Sequence, residues 1–159
     1  MKILVTGISG FAGSNIAINM LQTETKNKII GFDNLSRPGC ERNIEILRNT
    51  GIEIIRGDIR NQSDIETLPT VDWIIDWAAN PSVLAGLDGQ SSSRQLMEHN
   101  LIGTINLLEY CKKNKAGLIL LSTSRVYSAL KLAALPVKTT KDRYELQQSE
   151  ISGISENGI

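Results

Sequence analysis

Two groups of residues in this chain have the types and spacing for chemistry. The first is Thr6-Gly-Ile-Ser-Gly-Phe-Ala-Gly13, in which Gly7, Gly10 and Gly13 recur at three-residue intervals. Between a strand and a helix, such glycines form a cradle for a pyrophosphate. Gly7 supplies the tight turn, Gly10 lets the backbone approach the phosphates, and Gly13 lets the helix pack closely on the strand. The helix start then offers unpaired N–H groups to the anion. The second group centres on Asp33, about 20 residues past the last glycine, where a dinucleotide site places the acid that binds the adenosine ribose. A carboxylate accepts from both ribose hydroxyls and repels a 2′-phosphate, so Asp33 predicts NAD over NADP. Arg37, close by, works against that preference.

The elements that must hold these residues follow from apolar patterning. Lys2 to Thr6 is a short β-branched run, as a buried parallel strand requires. Ser14 to Leu21 places Ile16, Ala17, Met20 and Leu21 at helical spacing. A second strand, Lys28 to Phe32, leads into Asp33. Turn residues span Asn34 to Gly39, and Glu41 to Asn49 reads as a helix closed by Gly51. Ile52 to Arg56 is the third strand, with Gly57-Asp58-Ile59-Arg60 at its carboxyl end, where Asp58 has the composition of a cap for the helix predicted over Asn61 to Leu68. Val71 to Trp77 is the fourth strand and ends in Ala78-Ala79-Asn80-Pro81, small residues that admit something flat. Ser91 to Lys115 is the longest predicted helix, with Leu96, Leu101, Ile105, Leu108 and Tyr110 as its apolar stripe and lysines at its negative end. Gly117 to Leu121 is the fifth strand.

Alternating strands and helices with short loops predict an α/β fold with a doubly wound parallel sheet, Rossmann-like. After Ser128 the pattern fades. Leu130 to Leu135 is apolar, Pro136 breaks it, and the polar remainder shows no further strand, so the sheet is expected to be incomplete at the carboxyl end. The expected organisation is a dinucleotide-binding domain over 1–127 and a poorly defined tail over 128–159.

Composition narrows the function. Seventeen basic and seventeen acidic residues cancel, so no electrostatic partner such as nucleic acid or an anionic membrane is expected. Cys40 and Cys111 stand far apart and read as free thiols of a reducing cytoplasm. No targeting segment and no run of transmembrane length is seen. One histidine, His99, and two distant cysteines give no zinc-ligand pattern, so no metal is expected.

The glycine loop, Asp33-Asn34-Leu35-Ser36, Gly57-Asp58-Ile59-Arg60, Ala78-Ala79 and Ser122-Thr123-Ser124-Arg125-Val126-Tyr127 occur in an order that resembles the extended short-chain dehydrogenase/reductase superfamily. Within it the match is to nucleotide-sugar epimerases. Phe32-Asp-Asn-Leu-Ser-Arg37, Trp77-Ala-Ala-Asn-Pro-Ser-Val83 and Ser-Thr-x-x-Val-Tyr resemble the CDP-paratose 2-epimerases more than the UDP-galactose 4-epimerases. The resemblance covers Met1 to about Tyr127. It implies that Gly7, Gly10, Phe11, Ala12 and Gly13 form the pyrophosphate loop and that Asp33 and Asn34, with Ser36 and Arg37 in the same string, serve the adenosine ribose. It further assigns Asp58 and Ile59 to the adenine edge, Ala78 and Ala79 to the wall near the nicotinamide ribose, and Thr123 to the catalytic Ser/Thr that bonds the sugar oxygen.

One part of the pattern departs. The superfamily's base is a tyrosine whose phenol is acidified by a lysine four residues on, and that pair normally lies near the end of this chain or beyond it. Tyr144 is followed at that distance by Gln148. Tyr127 and Lys131 have the spacing, but Tyr127 belongs to the Val-Tyr that follows the threonine, where it is not the base. The chain is therefore expected to be the amino-terminal part of an NAD-dependent epimerase acting on a nucleotide sugar and inactive alone, with assembly of several copies left open. Two alternatives stand beside it. A nucleotide-sugar 4,6-dehydratase needs an Asp-Glu pair where Ser124 and Arg125 stand, and a non-catalytic NAD-binding or redox-sensing module would need no base.

Overall fold

The computed structural model describes residues 1–82, 85–86, 92–122 and 128–147. The chain divides into two compact units, Met1–Leu121 and Ser122–Ile159.

The first unit is built on a five-stranded parallel sheet in the order β3-β2-β1-β4-β5. Its strands are β1 (Lys2–Thr6), β2 (Lys28–Asp33), β3 (Glu53–Arg56), β4 (Trp73–Asp76) and β5 (Gly117–Leu120). In-register pairs such as Val5 with Gly31 on one side and Val5 with Ile75 on the other make β1 the central strand. Side chains alternate across it. Ile3 and Val5 join Ile29, Ala17 and Leu47 on the face covered by α1 (Phe11–Thr23) and α2 (Glu41–Asn49). Leu4 joins Ile30, Phe32 and Ile74 on the opposite face with Ile65 of α3 (Gln62–Glu66) and Leu107 and Tyr110 of a later helix. This is the doubly wound arrangement that the alternation of elements predicted. Chain order reverses direction between β1 and β4, and open α/β sheets bind their ligands at the carboxyl ends of such strands.

The long helix predicted from Ser91 is not one regular α-helix. It starts at α4 (Ser93–Met97), whose Ser92 cap accepts from the Gln95 N–H at 3.1 Å, widens into a π-helical turn at Glu98–Ile102, and continues as α5 (Gly103–Asn114). Insertion of a π turn rotates everything after it. Of the predicted stripe only Tyr110 is buried. The core side of α5 is Gly103, Leu107, Tyr110 and Cys111, while Leu101, Ile105 and Leu108 are exposed. Gly103 is needed there, since a Cβ on it would run into the Ile59 side chain.

The second unit contains α6 (Ala129–Ala133) and an antiparallel hairpin of β6 (Val137–Thr139) and β7 (Tyr144–Leu146). This corrects the reading of the polar stretch after Pro136 as strandless. Val-Lys-Thr and Tyr-Glu-Leu alternate over only three residues each, too short a pattern to stand out. The turn between them is closed by the Thr140 N–H donating to Arg143 O at 2.8 Å, and Arg143 pairs with Glu145 at 2.9 Å.

Candidate dinucleotide site

The chain from β1 turns at Gly7, whose φ of +60° suits glycine and whose Cβ position would lie 2.7 Å from the Trp77 carbonyl oxygen at the end of β4. Any side chain there would push β1 and β4 apart. Gly13 faces back onto the same turn, and a Cβ on it would stand 2.9 Å from Ile8 Cα. It permits the close approach of helix to strand. Gly10 differs from both. Its φ of −70° is open to any residue, and a Cβ on it would meet in the protein only Gly7 O, at 3.2 Å. What requires glycine at position 10 is the space in front of it.

That space is a cavity of about 580 Å³. Gly7, Ser9, Gly10, Phe11, Ala12 and Gly13 form one wall, and α1 begins at it with no side-chain cap and no acidic residue in its first turn. The Phe11, Ala12 and Gly13 N–H groups and the positive end of the helix are thus available to an anion. Ser9 Oγ is buried and has no hydrogen-bond partner among the described residues.

Asp33, Asn34, Ser36 and Arg37 form a second wall. The Asp33 carboxylate is held from both sides: Oδ2 accepts from the Ser9 N–H at 3.0 Å and Oδ1 from the Leu35 N–H at 2.9 Å. Leu35 takes a positive φ of 58° to do so. Each oxygen keeps a further acceptor position, so a pair of vicinal hydroxyls can be received without rearrangement. Asn43 of α2 was not singled out from the sequence, yet its amide donates to Ser9 O at 2.8 Å and ties the glycine loop to α2. Asn34 accepts from the Ser36 N–H at 3.0 Å and donates to Asp58 Oδ2 at 2.9 Å.

At the far side stand Trp77, Ala78, Ala79, Asn80 and Pro81. Their position is set by a buried clamp between the two central strands. Thr6 Oγ donates to Asp76 Oδ1 at 2.5 Å, and the Ala78 N–H donates to Asp76 Oδ1 at 3.1 Å. Burial pushes the Asp76 carboxyl above the ordinary carboxylate range, against the opposing effect of these bonds. Asn100, in the π-helical turn, brackets Asn80: its Oδ1 accepts from the Asn80 N–H at 2.8 Å and its Nδ2 donates to Asn80 O at 3.2 Å. Gln95 and His99 also reach the cavity. His99 Nδ1 lies 2.9 Å from Gln95 O, which assigns the proton to Nδ1 because a carbonyl only accepts.

Of the residues that the sequence put at the adenine edge, Ile59 lines the cavity together with Gly57 and Arg60. Asp58 lines an adjoining recess with Asn34, Arg56 and Asp64. Its carboxylate is engaged by Arg60 at 2.6 Å, which holds it well below the usual carboxylate range. It does not cap α3; Asn61 does, accepting from the Ser63 N–H. Thr123 and Tyr127 lie outside the described residues.

The glycine loop, the uncapped start of α1 and Asp33 thus line one cavity, and comparison with known proteins gives the family. Residues 3–150 match the model of the NAD dependent epimerase/dehydratase family. The chain belongs to this family. It is 36% identical over 136 residues to CDP-paratose 2-epimerase of Salmonella typhi, an alignment that covers 82% of this chain and 39% of the relative. UDP-glucose 4-epimerase of Pisum sativum is 32% identical over 77% of the chain and 36% of its own length. Among solved structures, UDP-glucuronic acid 4-epimerase from Bacillus cereus in complex with UDP-glucuronic acid and NAD superimposes with a TM-score of 0.69 at 33% identity, over 80% of this chain and 42% of that one. A dTDP-glucose 4,6-dehydratase from Bacillus anthracis, in complex with NAD, gives 0.64 at 34% identity, over 77% and 37%. The chain thus spans about two fifths of the length of these family members. NAD dependence is the family's feature, as the glycine loop and Asp33 predicted, and the loop, the uncapped α1 and the Asp33 carboxylate fit that cofactor.

Proposed function

We propose that this chain binds NAD in the cavity between Gly10, Asp33 and Ala78, and that it is the dinucleotide-binding part of a nucleotide-sugar epimerase of the CDP-paratose 2-epimerase kind. The observation that carries this reading is the placement of Asp33. Its carboxylate is fixed by Ser9 and Leu35 N–H groups on the wall beside the bare start of α1, so the two polar ends of an adenosine diphosphate have receptors on one surface.

Bound there, NAD supplies a hydride acceptor for oxidation of a sugar carbinol. The residues of this chain do the positioning. The α1 N–H groups neutralise the pyrophosphate, Asp33 takes the ribose hydroxyls and disfavours a 2′-phosphate, and the Thr6–Asp76 clamp holds Ala78 and Ala79 as a flat wall. Thr123 is assigned the bond to the sugar oxygen. The proton of that carbinol needs a base, and Tyr-x-x-x-Lys occurs in the 159 residues only as Tyr127 and Lys131. That scarcity is also what favours the second reading, an NAD-binding module without turnover.

One comparison separates the two. The 159-residue chain is expected to bind NAD and to show no epimerisation of CDP-paratose or UDP-galactose at saturating NAD, because loss of a general base removes about 10² to 10⁴ in rate. The same chain extended through a tyrosine–lysine pair and a substrate-binding half is expected to turn over. An inactive extended protein that still binds NAD favours the module; turnover by the short chain, lost in Tyr127→Phe or Lys131→Ala, makes that pair the base.

A further inference from the structure

Asp76 joins two walls of the cavity without lining it. Thr6, the residue before Gly7, donates its hydroxyl to Asp76 Oδ1 at 2.5 Å and accepts the Trp77 and Ala78 N–H groups at 3.2 and 3.3 Å. The Ala78 N–H also donates to Oδ1, at 3.1 Å. One carboxyl oxygen therefore ties the start of the glycine loop to the Ala78 wall. Among the described residues no hydrogen bond reaches Oδ2 and no cation pairs with the carboxyl, which is 3% exposed. An ionised carboxylate so placed is costly, and a protonated one much less so.

The elements around Asp76 do not supply the missing charge. Across the sheet its partners are Thr6 of β1 and Leu120 of β5. On the face that it shares with Ile74, α5 brings Tyr110 and Cys111, and burial holds both in their neutral forms. In the loop after β3 and in α3, Asp58 is paired with Arg60 and Asp64 accepts from the Asp58 N–H. In α4 and the π-helical turn, Arg94 is paired with Glu98 and His99 is bonded to Gln95.

We infer that Asp76 is a positioning residue that serves the dinucleotide as an uncharged acid, so that loss of its proton weakens binding of the pyrophosphate. The inference deepens the NAD reading of the cavity and rests on it. A pyrophosphate at the glycine loop brings negative charge next to Thr6, and a like charge disfavours ionisation of a carboxyl. The bound chain then keeps the Asp76 proton to a higher pH than the free chain does. Affinity is constant at acid pH, where both forms hold the proton. It falls as pH rises past the free-chain value, which burial already places above the ordinary carboxylate range, and levels off once both forms are ionised.

The test is titration calorimetry of the 159-residue chain with adenosine diphosphate ribose, which carries the pyrophosphate charge without the nicotinamide cation, at about pH 5 and about pH 9. The conservative variant Asp76→Asn keeps an oxygen for Thr6 and Ala78 and cannot ionise. The ratio of the dissociation constant at high pH to that at low pH is expected to be about three- to thirtyfold larger in wild type than in Asp76→Asn. Asp33, Cys40 and His99, which line the cavity, are the same in both chains and cancel in that comparison. A merely structural role would shift both constants of the variant together and leave the ratio as it is in wild type. Equal ratios in two chains with the same circular dichroism therefore overturn the inference and leave the NAD site standing. Binding of neither adenosine diphosphate ribose nor NAD by wild type at either pH removes the NAD reading, and this inference with it. Should Asp76→Asn not fold, Thr6→Val decides. It keeps the acid and removes a bond that favours the ionised form, so the fall in affinity is expected to move to higher pH; a fall that stays in place, or none in wild type, overturns the inference.

Discussion

In the proposed NAD site Asp33 and Gly10, which line one cavity, are assigned most of the recognition, and each makes a separate prediction. Replacing Asp33 by Ala removes two hydroxyl bonds to a charged acceptor, of about 1.5 to 3 kcal/mol each, and removes the repulsion of a 2′-phosphate. Asp33→Ala is expected to weaken NAD far more than NADP in calorimetric titration; equal weakening of both would contradict the ribose role. Both residues were legible in the sequence because their signals are local. The glycine spacing and the distance to the acid at the end of the next strand are properties of one βαβ unit. The Asp58–Arg60 fork was not legible. Gly57-Asp58-Ile59-Arg60 names the residues, but which of them faces the cavity depends on side-chain conformation, and the motif does not show that Arg60 pairs with Asp58 at two points. Nor does spacing in the sequence reveal Asn43 on Ser9 or Asn100 on Asn80, since both bonds join elements far apart in the chain.

Between elements, the decisive contact is the clamp of β1 to β4 through Thr6 and Asp76. Asp76 is 3% exposed, and its carboxyl is raised by burial. A raised carboxyl holds its proton in the folded chain at a pH where the unfolded chain has released it. Its contribution to stability is therefore fully present below the ordinary carboxylate value and is lost as pH rises through the folded value. Asp58 has the opposite sign. It is lowered by Arg60, so its contribution is present above the ordinary value and lost as pH falls. Asp76→Asn keeps an oxygen for Thr6 and Ala78 and carries no charge, so at pH 7 it is expected to be at least as stable as wild type in urea unfolding, with a flatter dependence on pH above the ordinary carboxylate range. Destabilisation by more than about 1 kcal/mol would show that the ionised form is what the clamp uses. At this scale the five strands and α1 to α3 could be read from apolar runs and turn residues. The π-helical turn could not. Leu101, Ile105 and Leu108 and the buried Leu107, Tyr110 and Cys111 lie on two sides of one helix, both apolar, and only the extra residue in the turn decides which side meets the sheet.

At the scale of the whole molecule, the first unit is the sheet with its ligand cavity at the carboxyl ends of β1 and β4, as a doubly wound topology dictates. The matched relatives are about twice as long, which follows from an alignment that covers 82% of this chain and 39% of CDP-paratose 2-epimerase. The account asks less of this chain than of a whole epimerase: it must hold NAD, and hold it at the glycine loop. Fluorescence titration of the chain with NAD, beside the Gly10→Val variant, tests that most directly. Position 10 accepts any side chain in its backbone angles but has the cavity in front of it, so the valine occupies the place of the pyrophosphate while the fold remains. The account predicts saturable binding by wild type and none by a Gly10→Val chain whose circular dichroism is unchanged. Equal binding by both folded chains, or none by wild type, would contradict it.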